Sequence, residues 1–378
     1  MSATSNLLSK YEKSAKINQI AEILKKDSTK IHLKGLLGSS LSFVTNVLFL
    51  KSENPFLLIL DDKEQAAYYL NDLEQLINDQ DVLFFPSSFR VPYQIEAVEN
   101  ANILLRSEVL NRINSRKKPA IIVTYPEAIF EKVVTKKELD KNTLKVSVGD
   151  KISIDFINEV LFEYEFKRVD FITEPGEFSV RGGIIDVFSF SNDNPYRIEF
   201  FGNEIDSLRT FDVETQLSIE KQKKITIIPN VENKFFQEER ESFLAYISPK
   251  TTIFIHNTEI LFNKLDRFFE KATTEFQKLN SEIKHLPPAQ LFLNQTTFIE
   301  KAIDFSIAEL GSKAIFRTQK TFEFHVLPQP SFNKQFDLLL NNLNENHFNG
   351  IKNYLFCAND AQAKRFHSIF ESLDEVNT

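Results

Sequence analysis

The feature that most constrains this chain is an alternation of short apolar runs with amphipathic helical stretches over its first 142 residues. The run "PFLLILDD" (55–62) is apolar up to its last two residues, a pattern typical of strands buried in a parallel sheet. The stretch "KEQAAYYLNDLEQLIN" follows with helical periodicity, and Asp61 or Asp62 stands at the position of its N-cap. Strands separated by helices of about 10–15 residues predict parallel βαβ units. Residues 1–142 are therefore expected to belong to an α/β domain.

The pattern changes near residue 143. A helical stretch that begins at Ser153, the expected N-cap, is followed by short strands with turn signals between them. The Gly202-Asn203 pair suits a two-residue hairpin between two of these strands. Residues 143–230 are therefore predicted to form an antiparallel α+β domain.

The last third of the chain returns to helices and strands. Residues 231–322 contain a buried strand and a long helix, and residues 323–378 read as helix, strand and helix. The strand of this last stretch is expected at "IKNYLFCAN" (351–359). Residues 323–378 are thus predicted to start a further, small α/β domain.

Charge and cysteine content narrow the possible functions. The chain has a formal net charge of −8, and residues 143–230 hold 10 basic and 16 acidic residues, which argues against a DNA-reading module. A single cysteine, Cys357, excludes an intrachain disulfide and a multi-cysteine zinc site. With no signal peptide and no apolar run of about 20 residues, we expect a cytoplasmic protein.

The stretch "GLLGSSLS" (35–42) matches the phosphate-loop spacing G-x-x-x-x-G-K-[ST] only in part. Gly35 takes the first glycine position and Ser42 the final hydroxyl position, with Gly38 between them. Ser40 stands at the second glycine and Leu41 at the lysine, and a leucine cannot neutralise phosphate oxygens. The stretch is either a degenerate phosphate loop or an ordinary strand-to-helix turn.

A second candidate site lies in the α+β domain, on the strand "YRIEFF". Alternation places Tyr196, Ile198 and Phe200 on one face and Arg197, Glu199 and Phe201 on the other. If the first set meets the core, an arginine beside an exposed aromatic has the composition of an interface hot spot. The alternative is a surface ion pair, Arg197 with Glu199 or with a cross-strand acid, and Phe201 in a minor core.

Catalytic motifs are absent from the sequence. It has no nucleophile elbow and no H-E-x-x-H, and its six histidines read as structural or solvent-facing. We expect no catalytic residues and no metal ligands in this chain.

The stretch "FSVRGGIIDVFSFSNDNPYRIEFFGNEIDSLRTFD" (178–212) closely resembles the motif of the UvrB family. This motif is shared by the nucleotide-excision-repair protein UvrB and the N-terminal part of the transcription-repair coupling factor, Mfd. Weaker similarity extends from about residue 30 to about residue 230 and includes "FPSSFRVPY" and "VTYPEAIF". Two departures point to the coupling-factor branch: Leu41, and a hairpin stretch "LFFPSSFRVPYQIEAVEN" (83–100) that offers only Tyr93.

The resemblance implies a degenerate RecA-like (P-loop NTPase-like) domain in two pieces, 1–142 and 231–322. An α+β UvrA-binding domain, residues 143–230, would be inserted between them. Arg181, Arg197 and Phe201 match the family's UvrA-contact positions, and alternation adds Glu199 to this set.

The resemblance also implies partners and cofactors. UvrA would bind the inserted domain, and a C-terminal domain of the full-length chain would cover this surface in an autoinhibited state. RNA polymerase and DNA would be engaged through other parts of the full-length protein, which would use ATP and Mg as a DNA translocase. For residues 1–378 it implies no cofactor, no metal and no enzymatic activity.

Three hypotheses follow. The leading one is a recruitment module that brings UvrA to stalled RNA polymerase without ATPase activity of its own. The second is a UvrB-like ATP-dependent DNA helicase that verifies damage. The third is a scaffold whose inserted domain faces another part of its own chain.

Overall fold

The computed structural model describes residues 3–77, 81–88, 93, 100–115, 118–230, 240–279, 285–333, 335–357 and 359–377. Its helices are α1 (Ala3–Glu12), α2 (Ala15–Leu24), α3 (Ser40–Lys51), α4 (Lys63–Leu76), α5 (Asn100–Ser115), α6 (Pro126–Phe130), α7 (Lys136–Lys141), α8 (Ile154–Glu163), α9 (Phe243–Tyr246), α10 (Thr258–Lys278), α11 (Pro288–Leu291), α12 (Gln295–Ala302), α13 (Phe336–Phe348) and α14 (Asp360–Asn377). Its strands are β1 (Lys30–Lys34), β2 (Phe56–Ile59), β3 (Val82–Phe84), β4 (Ile121–Thr124), β5 (Val133–Val134), β6 (Leu144–Ser147), β7 (Lys167–Arg168), β8 (Glu177–Arg181), β9 (Ile184–Val187), β10 (Tyr196–Phe201), β11 (Glu204–Phe211), β12 (Ser218–Gln222), β13 (Lys224–Ile227), β14 (Arg240–Glu241), β15 (Thr252–Ile255), β16 (Ser306–Glu309) and β17 (Lys320–Glu323).

The chain divides into two compact units. The larger comprises residues 14–325, and the smaller comprises residues 1–13 together with 326–378. No helix among the described residues combines the length and apolar character needed to cross a bilayer.

The smaller unit contains helices α1, α13 and α14, and its described residues form no strand. Helices α13 and α14 meet through an edge-on contact of the Phe336 and Phe366 rings, whose centroids are 5.9 Å apart. The strand expected at 351–359 is wrong, since no strand forms in the described residues of that stretch. Ile351 and Phe356 stay more than half exposed there, because no neighbouring strand in the described part of this unit pairs with them.

A seven-stranded parallel sheet forms the centre of the larger unit. Its strand order is β17-β1-β16-β15-β2-β4-β3, and every pairing is parallel. Strand β1 of residues 30–124 lies between β17 and β16 of residues 252–323, and β15 lies beside β2, so both stretches build one sheet. The parallel α/β fold class is confirmed, whereas β16 and β17 were not predicted.

The local signals around β2 are confirmed. All four residues of Phe56–Ile59 are buried, as expected for a strand covered on both faces. Asp62 is the N-cap of α4, and its carboxylate accepts a hydrogen bond from the Gln65 backbone N–H at 2.8 Å.

The segment between β4 and β15 contains a second sheet of six strands. Its order is β12-β11-β10-β9-β8-β7, antiparallel except for the short β7–β8 pair. Strand β6 pairs with β13, which brings Leu144 opposite Ile227 and joins the two ends of this segment. Helix α8 begins after Ser153, whose hydroxyl accepts from the Phe156 backbone N–H at 3.1 Å.

The two faces of the six-stranded sheet differ. One face buries the main core of the segment, which includes Ile157 and Leu161 of α8 together with Tyr196 and Ile198 of β10. The other face carries only a small cluster, in which Ile172, Phe188 and Phe211 pack together. We call this second face the open face, and it carries the candidate site predicted in the α+β domain.

Candidate functional site

Three of the four residues predicted to bind a partner, Arg181, Arg197 and Glu199, lie on the open face, and Phe201 lies at the end of strand β10. Arg197 and Glu199 alternate along β10 with the buried Tyr196 and Ile198, as the sequence predicted, and the pairing of β10 with β11 shifts register between Glu199 and Phe200. Arg181 ends β8 and lies opposite Ile184, which in turn lies opposite Glu199. The Gly182-Gly183 pair after Arg181 makes the two-residue turn into β9. Strand β9 therefore lies between Arg181 and Glu199.

Both candidate arginines converge on one buried carboxylate, that of Asp186. Arg197 donates from Nε to Oδ1 at 2.7 Å and from Nη2 to Oδ2 at 2.9 Å. Arg181 donates from Nη2 to the same Oδ2 at 2.5 Å. The Asp186 side chain is 1% exposed, and the two guanidinium groups balance its buried charge. This cluster of two cations and one anion has a formal charge of +1.

Arg197 has two further contacts that fix its guanidinium. It lies 4.3 Å from the centre of the buried Phe211 ring, and its Nη2 also donates to Gln216 Oε1 at 3.2 Å. Gln216 adopts a left-handed φ of 59°, and its backbone N–H donates to the Asp212 carbonyl at 2.8 Å. The hydrogen bonds to Asp186 raise the pKa of Arg197 above its ordinary value. Arg197 is thus held in place on three sides.

Arg181 is less enclosed than Arg197. Its side chain is 42% exposed, compared with 14% for Arg197. The guanidinium lies 5.2 Å from the centre of the Phe171 ring, which is itself largely exposed. Arg181 and Phe171 together present a cation and an aromatic ring at the β7–β8 side of the open face.

Glu199 pairs with a different arginine from the one considered first. Its carboxylate accepts from Arg209 Nη2 and from the Ser207 hydroxyl, the latter at 2.5 Å. An Arg197–Glu199 ion pair is therefore not formed. Arg197 pairs instead with the cross-strand acid Asp186, the other pairing that alternation had left open.

Phe201 ends β10 with its ring in solvent. The residue is 84% exposed, and no other large apolar side chain between residues 143 and 230 is as exposed. The alternative that placed it in a minor core is wrong. The β-turn that follows, with Gly202 at a φ of 62°, presents the ring at the tip of the β10–β11 hairpin.

The candidate phosphate loop connects β1 to α3 in the larger unit. Gly35 and Gly38 have left-handed φ angles of 85° and 51°, which a glycine adopts without strain. A Cβ on Gly35 would lie 2.1 Å from the Phe324 carbonyl oxygen, next to strand β17. Gly35 is therefore required by the backbone that packs against it, with no phosphate involved.

The remaining loop residues are engaged within the chain. Leu41 is 1% exposed in the core, and the Ser42 hydroxyl donates to Asp72 Oδ2 on α4 at 2.9 Å. The Ser40 hydroxyl donates to the Leu37 carbonyl at 2.6 Å. The Tyr69 hydroxyl donates to the Gly38 carbonyl at 3.1 Å. With no cation in the loop and its hydroxyls committed, these residues do not fit a bound phosphate group.

The stretch compared with a damage-probing hairpin, residues 83–100, lies mostly outside the described residues. Tyr93 is described. Its hydroxyl donates to the Leu286 carbonyl at 2.8 Å, and its ring meets Phe292 edge-on with centroids 5.7 Å apart. These contacts tie Tyr93 to the larger unit.

Sequence reasoning missed Asp186 and Gln216. The signal for Asp186 was present, because a two-residue turn at Gly182-Gly183 sets Ile184 opposite Arg181, and Asp186 then shares their face by parity. No comparable signal marks Gln216, since its position depends on the irregular turn between β11 and β12.

Comparison with known proteins agrees with this geometry. A family model described as the UvrB interaction domain matches residues 144–233, the segment that contains the six-stranded sheet. This match confirms the resemblance seen in the 178–212 motif.

Several relatives are transcription-repair-coupling factors. The chain is 34% identical to that of Bacillus subtilis (strain 168) over 209 residues, which is 55% of this chain and 18% of the relative. It is 27% identical to that of Escherichia coli (strain K12) over 194 residues, which is 51% of this chain and 17% of the relative. The chain thus spans less than a fifth of the length of these relatives. Over about half of its length the chain is therefore similar to part of the transcription-repair-coupling factors, and residues 144–233 match the UvrB interaction domain.

Proposed function

We propose that this chain recruits UvrA, the damage-recognition ATPase of nucleotide excision repair, through the open face of its inserted domain. The observation that carries the proposal is the group formed by Arg181, Arg197 and Phe201. Arg181 is 42% exposed, Arg197 shares its carboxylate partner, and the ring at the end of the same strand as Arg197 is 84% exposed. Arginine and aromatic side chains dominate binding energy at protein interfaces. The match to a UvrB interaction domain supports the same assignment.

The charge distribution suits a partner with acidic groups. The ion-paired side chains described above, three arginines (181, 197, 209) and two carboxylates (186, 199), sum to a formal charge of +1. Residues 143–230 as a whole carry six more acidic than basic side chains. A local cationic patch in an acidic domain favours partner carboxylates and disfavours the phosphates of DNA, which the rest of the domain repels.

The proposal includes the absence of ATP hydrolysis by residues 1–378. The contacts of Leu41, Ser40 and Ser42 support it, because the loop lacks a lysine and its hydroxyls bind protein groups. The second candidate function is a UvrB-like ATP-dependent helicase, and the same loop counts against it. An equilibrium titration with ATP and Mg²⁺ separates the two candidates: saturable ATP binding would favour the helicase.

In a longer coupling factor, the same module would act beside other parts. A translocase using ATP and Mg, contacts with RNA polymerase and DNA, and a C-terminal domain that covers the open face belong to this proposal. The third hypothesis, a scaffold that faces only its own chain, predicts no binding of free UvrA.

A calorimetric titration of this chain with purified UvrA tests the proposal. Arg197→Ala and Phe201→Ala are compared with wild type, and Phe156→Ala is the matched control. Phe156 is 48% exposed on α8, on the other side of the six-stranded sheet. We expect saturable binding by wild type and control, and strongly weakened binding by Arg197→Ala and Phe201→Ala. Absence of binding by the wild-type chain would refute recruitment. Equal binding by wild type and all three variants would mean that UvrA binds another surface of the chain.

A further inference from the structure

We infer that Asp186 is a positioning residue for UvrA binding: it holds the guanidinium groups of Arg181 and Arg197 in the orientation that a partner carboxylate recognises. This inference rests on the proposed function. It concerns a buried residue that touches no partner itself and acts through two residues that do.

The hydrogen bonds of Asp186 support this role. Among the described residues, the carboxylate accepts only from the two arginines. It lies directly opposite Ser179 on one side and Arg197 on the other. The Ser179 hydroxyl is directed elsewhere and donates to the Asp170 carbonyl at 3.0 Å. The negative charge of Asp186 is therefore used on the two arginines and not on the backbone of the sheet.

The donors that remain point to the kind of partner. Arg197 uses Nε for Asp186 and Nη2 for Asp186 and Gln216, and its Nη1 has no acceptor among the described residues. Arg181 uses only Nη2 for a hydrogen bond within the described chain. The unused N–H groups of two neighbouring guanidinium groups match the oxygens of a carboxylate on the partner.

Holding the arginines in advance lowers the cost of binding. A free arginine side chain loses rotamer entropy when a partner immobilises it, whereas Arg197 is already fixed by Asp186, Gln216 and the Phe211 ring. Without the Asp186 charge, the two guanidinium groups would also repel each other and separate. Both effects predict weaker UvrA binding when Asp186 loses its charge, although Arg181 and Arg197 themselves are not substituted.

The alternative is that Asp186 only stabilises the fold. Glu177 provides a matched control, because it is a 7% exposed carboxylate on β8 that accepts from the Thr173 and Glu174 backbone N–H groups. Glu177→Gln and Asp186→Asn remove the same charge from the same sheet. Only Asp186→Asn releases the two arginines.

The experiment combines UvrA titration with NMR of the arginine Nε–H groups. We expect Asp186→Asn to weaken UvrA binding about tenfold and Glu177→Gln to leave it within about twofold. The Arg197 Nε–H signal should exchange faster with water in Asp186→Asn than in wild type or Glu177→Gln. In the Arg197→Ala background, Asp186→Asn should weaken UvrA binding much less than it does in wild type, because Asp186 acts through the arginine.

Three results would overturn the inference. Unchanged binding by folded Asp186→Asn, additive effects with Arg197→Ala, or an unchanged Arg197 Nε–H signal would each do so. No binding by wild type would refute the proposed function and this inference with it, whereas wild-type binding with an unaffected Asp186→Asn refutes this inference alone. Gln216→Ala, which removes the other acceptor of Arg197 Nη2, is the second variant should Asp186→Asn not fold. Binding by Gln216→Ala equal to wild type would then count against positioning.

Discussion

Arg197 and Asp186 lie directly opposite each other across strands β10 and β9, and the guanidinium of Arg197 donates to both carboxylate oxygens at 2.7 and 2.9 Å. An arginine that alternation places on the outer face is thus held by a buried acid of its own sheet. Arg197 therefore contributes to stability and to the partner surface at the same time. Variants of Arg197 must therefore be measured for stability and for UvrA binding.

Arg197→Ala should lower stability by about 1–3 kcal/mol, because buried Asp186 loses two of its three hydrogen bonds. It should also weaken UvrA binding by about 2 kcal/mol or more. Urea unfolding measures the first quantity, and titration at a temperature where the variant is fully folded measures the second. Arg168→Ala, at an exposed position of β7, is the control for loss of a positive charge. If unfolded Arg197→Ala molecules accounted for the whole loss of UvrA binding, the interface role of Arg197 would be contradicted.

Phe201 and Phe211 should separate binding from stability. Phe201→Ala should leave the free energy of unfolding within about 0.5 kcal/mol, because the ring is 84% exposed. Phe211→Ala should lower it by about 3–5 kcal/mol, because that ring is fully buried beneath Arg197. Urea titrations of the two variants check both values. A large stability loss in Phe201→Ala would show that the ring packs against the chain.

Leu41→Lys should not create an ATP site. The side chain is 1% exposed, so a lysine there would bury an unpaired ammonium and cost about 3 kcal/mol or more. Leu50→Lys, 63% exposed on the same helix, should change stability by no more than about 0.5 kcal/mol. The measurements are urea unfolding and an ATP titration. A stable Leu41→Lys chain that binds ATP would mean that the loop retains its phosphate geometry.

Gly35→Ala should destabilise the larger unit by about 2 kcal/mol or more, because a methyl group would meet the Phe324 carbonyl at 2.1 Å on a left-handed residue. Gly38→Ala isolates the backbone effect, since its φ is 51° and nothing lies within 4 Å of the added atom. It should cost only about 1 kcal/mol. Thermal unfolding of both variants gives the comparison, and equal losses would argue against the contact with Phe324.

Tyr69 should make stability fall at alkaline pH. Burial, followed by the nearby Tyr68, Asp72 and Asp61, raises the pKa of Tyr69 to about 12. A raised pKa means that the folded chain holds the phenol proton more tightly than the unfolded chain. This contribution is complete below the ordinary value of about 10 and is lost as the pH rises toward 12.

Urea unfolding between pH 8 and pH 11 checks this dependence. Tyr69→Phe should show a shallower decline than wild type over the upper part of that range, at the cost of the hydrogen bond to the Gly38 carbonyl. Tyr68→Phe, at the exposed neighbouring ring, is the control. Identical slopes in all three proteins would contradict the assignment.

The sequence by itself determined the features that depend on local periodicity. The apolar run at β2 and its Asp62 cap predicted a parallel sheet with helices, because burial on both faces leaves no room for polar alternation. The alternation in β10 predicted which side chains of Tyr196–Phe201 leave the core, because the side-chain period of a strand is two. The glycines and "RIEFFG" of the 178–212 motif carried the resemblance to the UvrB family.

The tertiary structure decided which of those residues touch. Asp186 came to lie beneath Arg181 and Arg197 through the register of three strands, and Gln216 reached Arg197 through an irregular turn. The strand predicted at 351–359 did not form in the described residues of that stretch, because a strand requires a neighbour to pair with and local propensity supplies none. Periodicity acts within a segment, whereas ion pairs and strand pairing depend on segments far apart in the chain, and only folding brings those together.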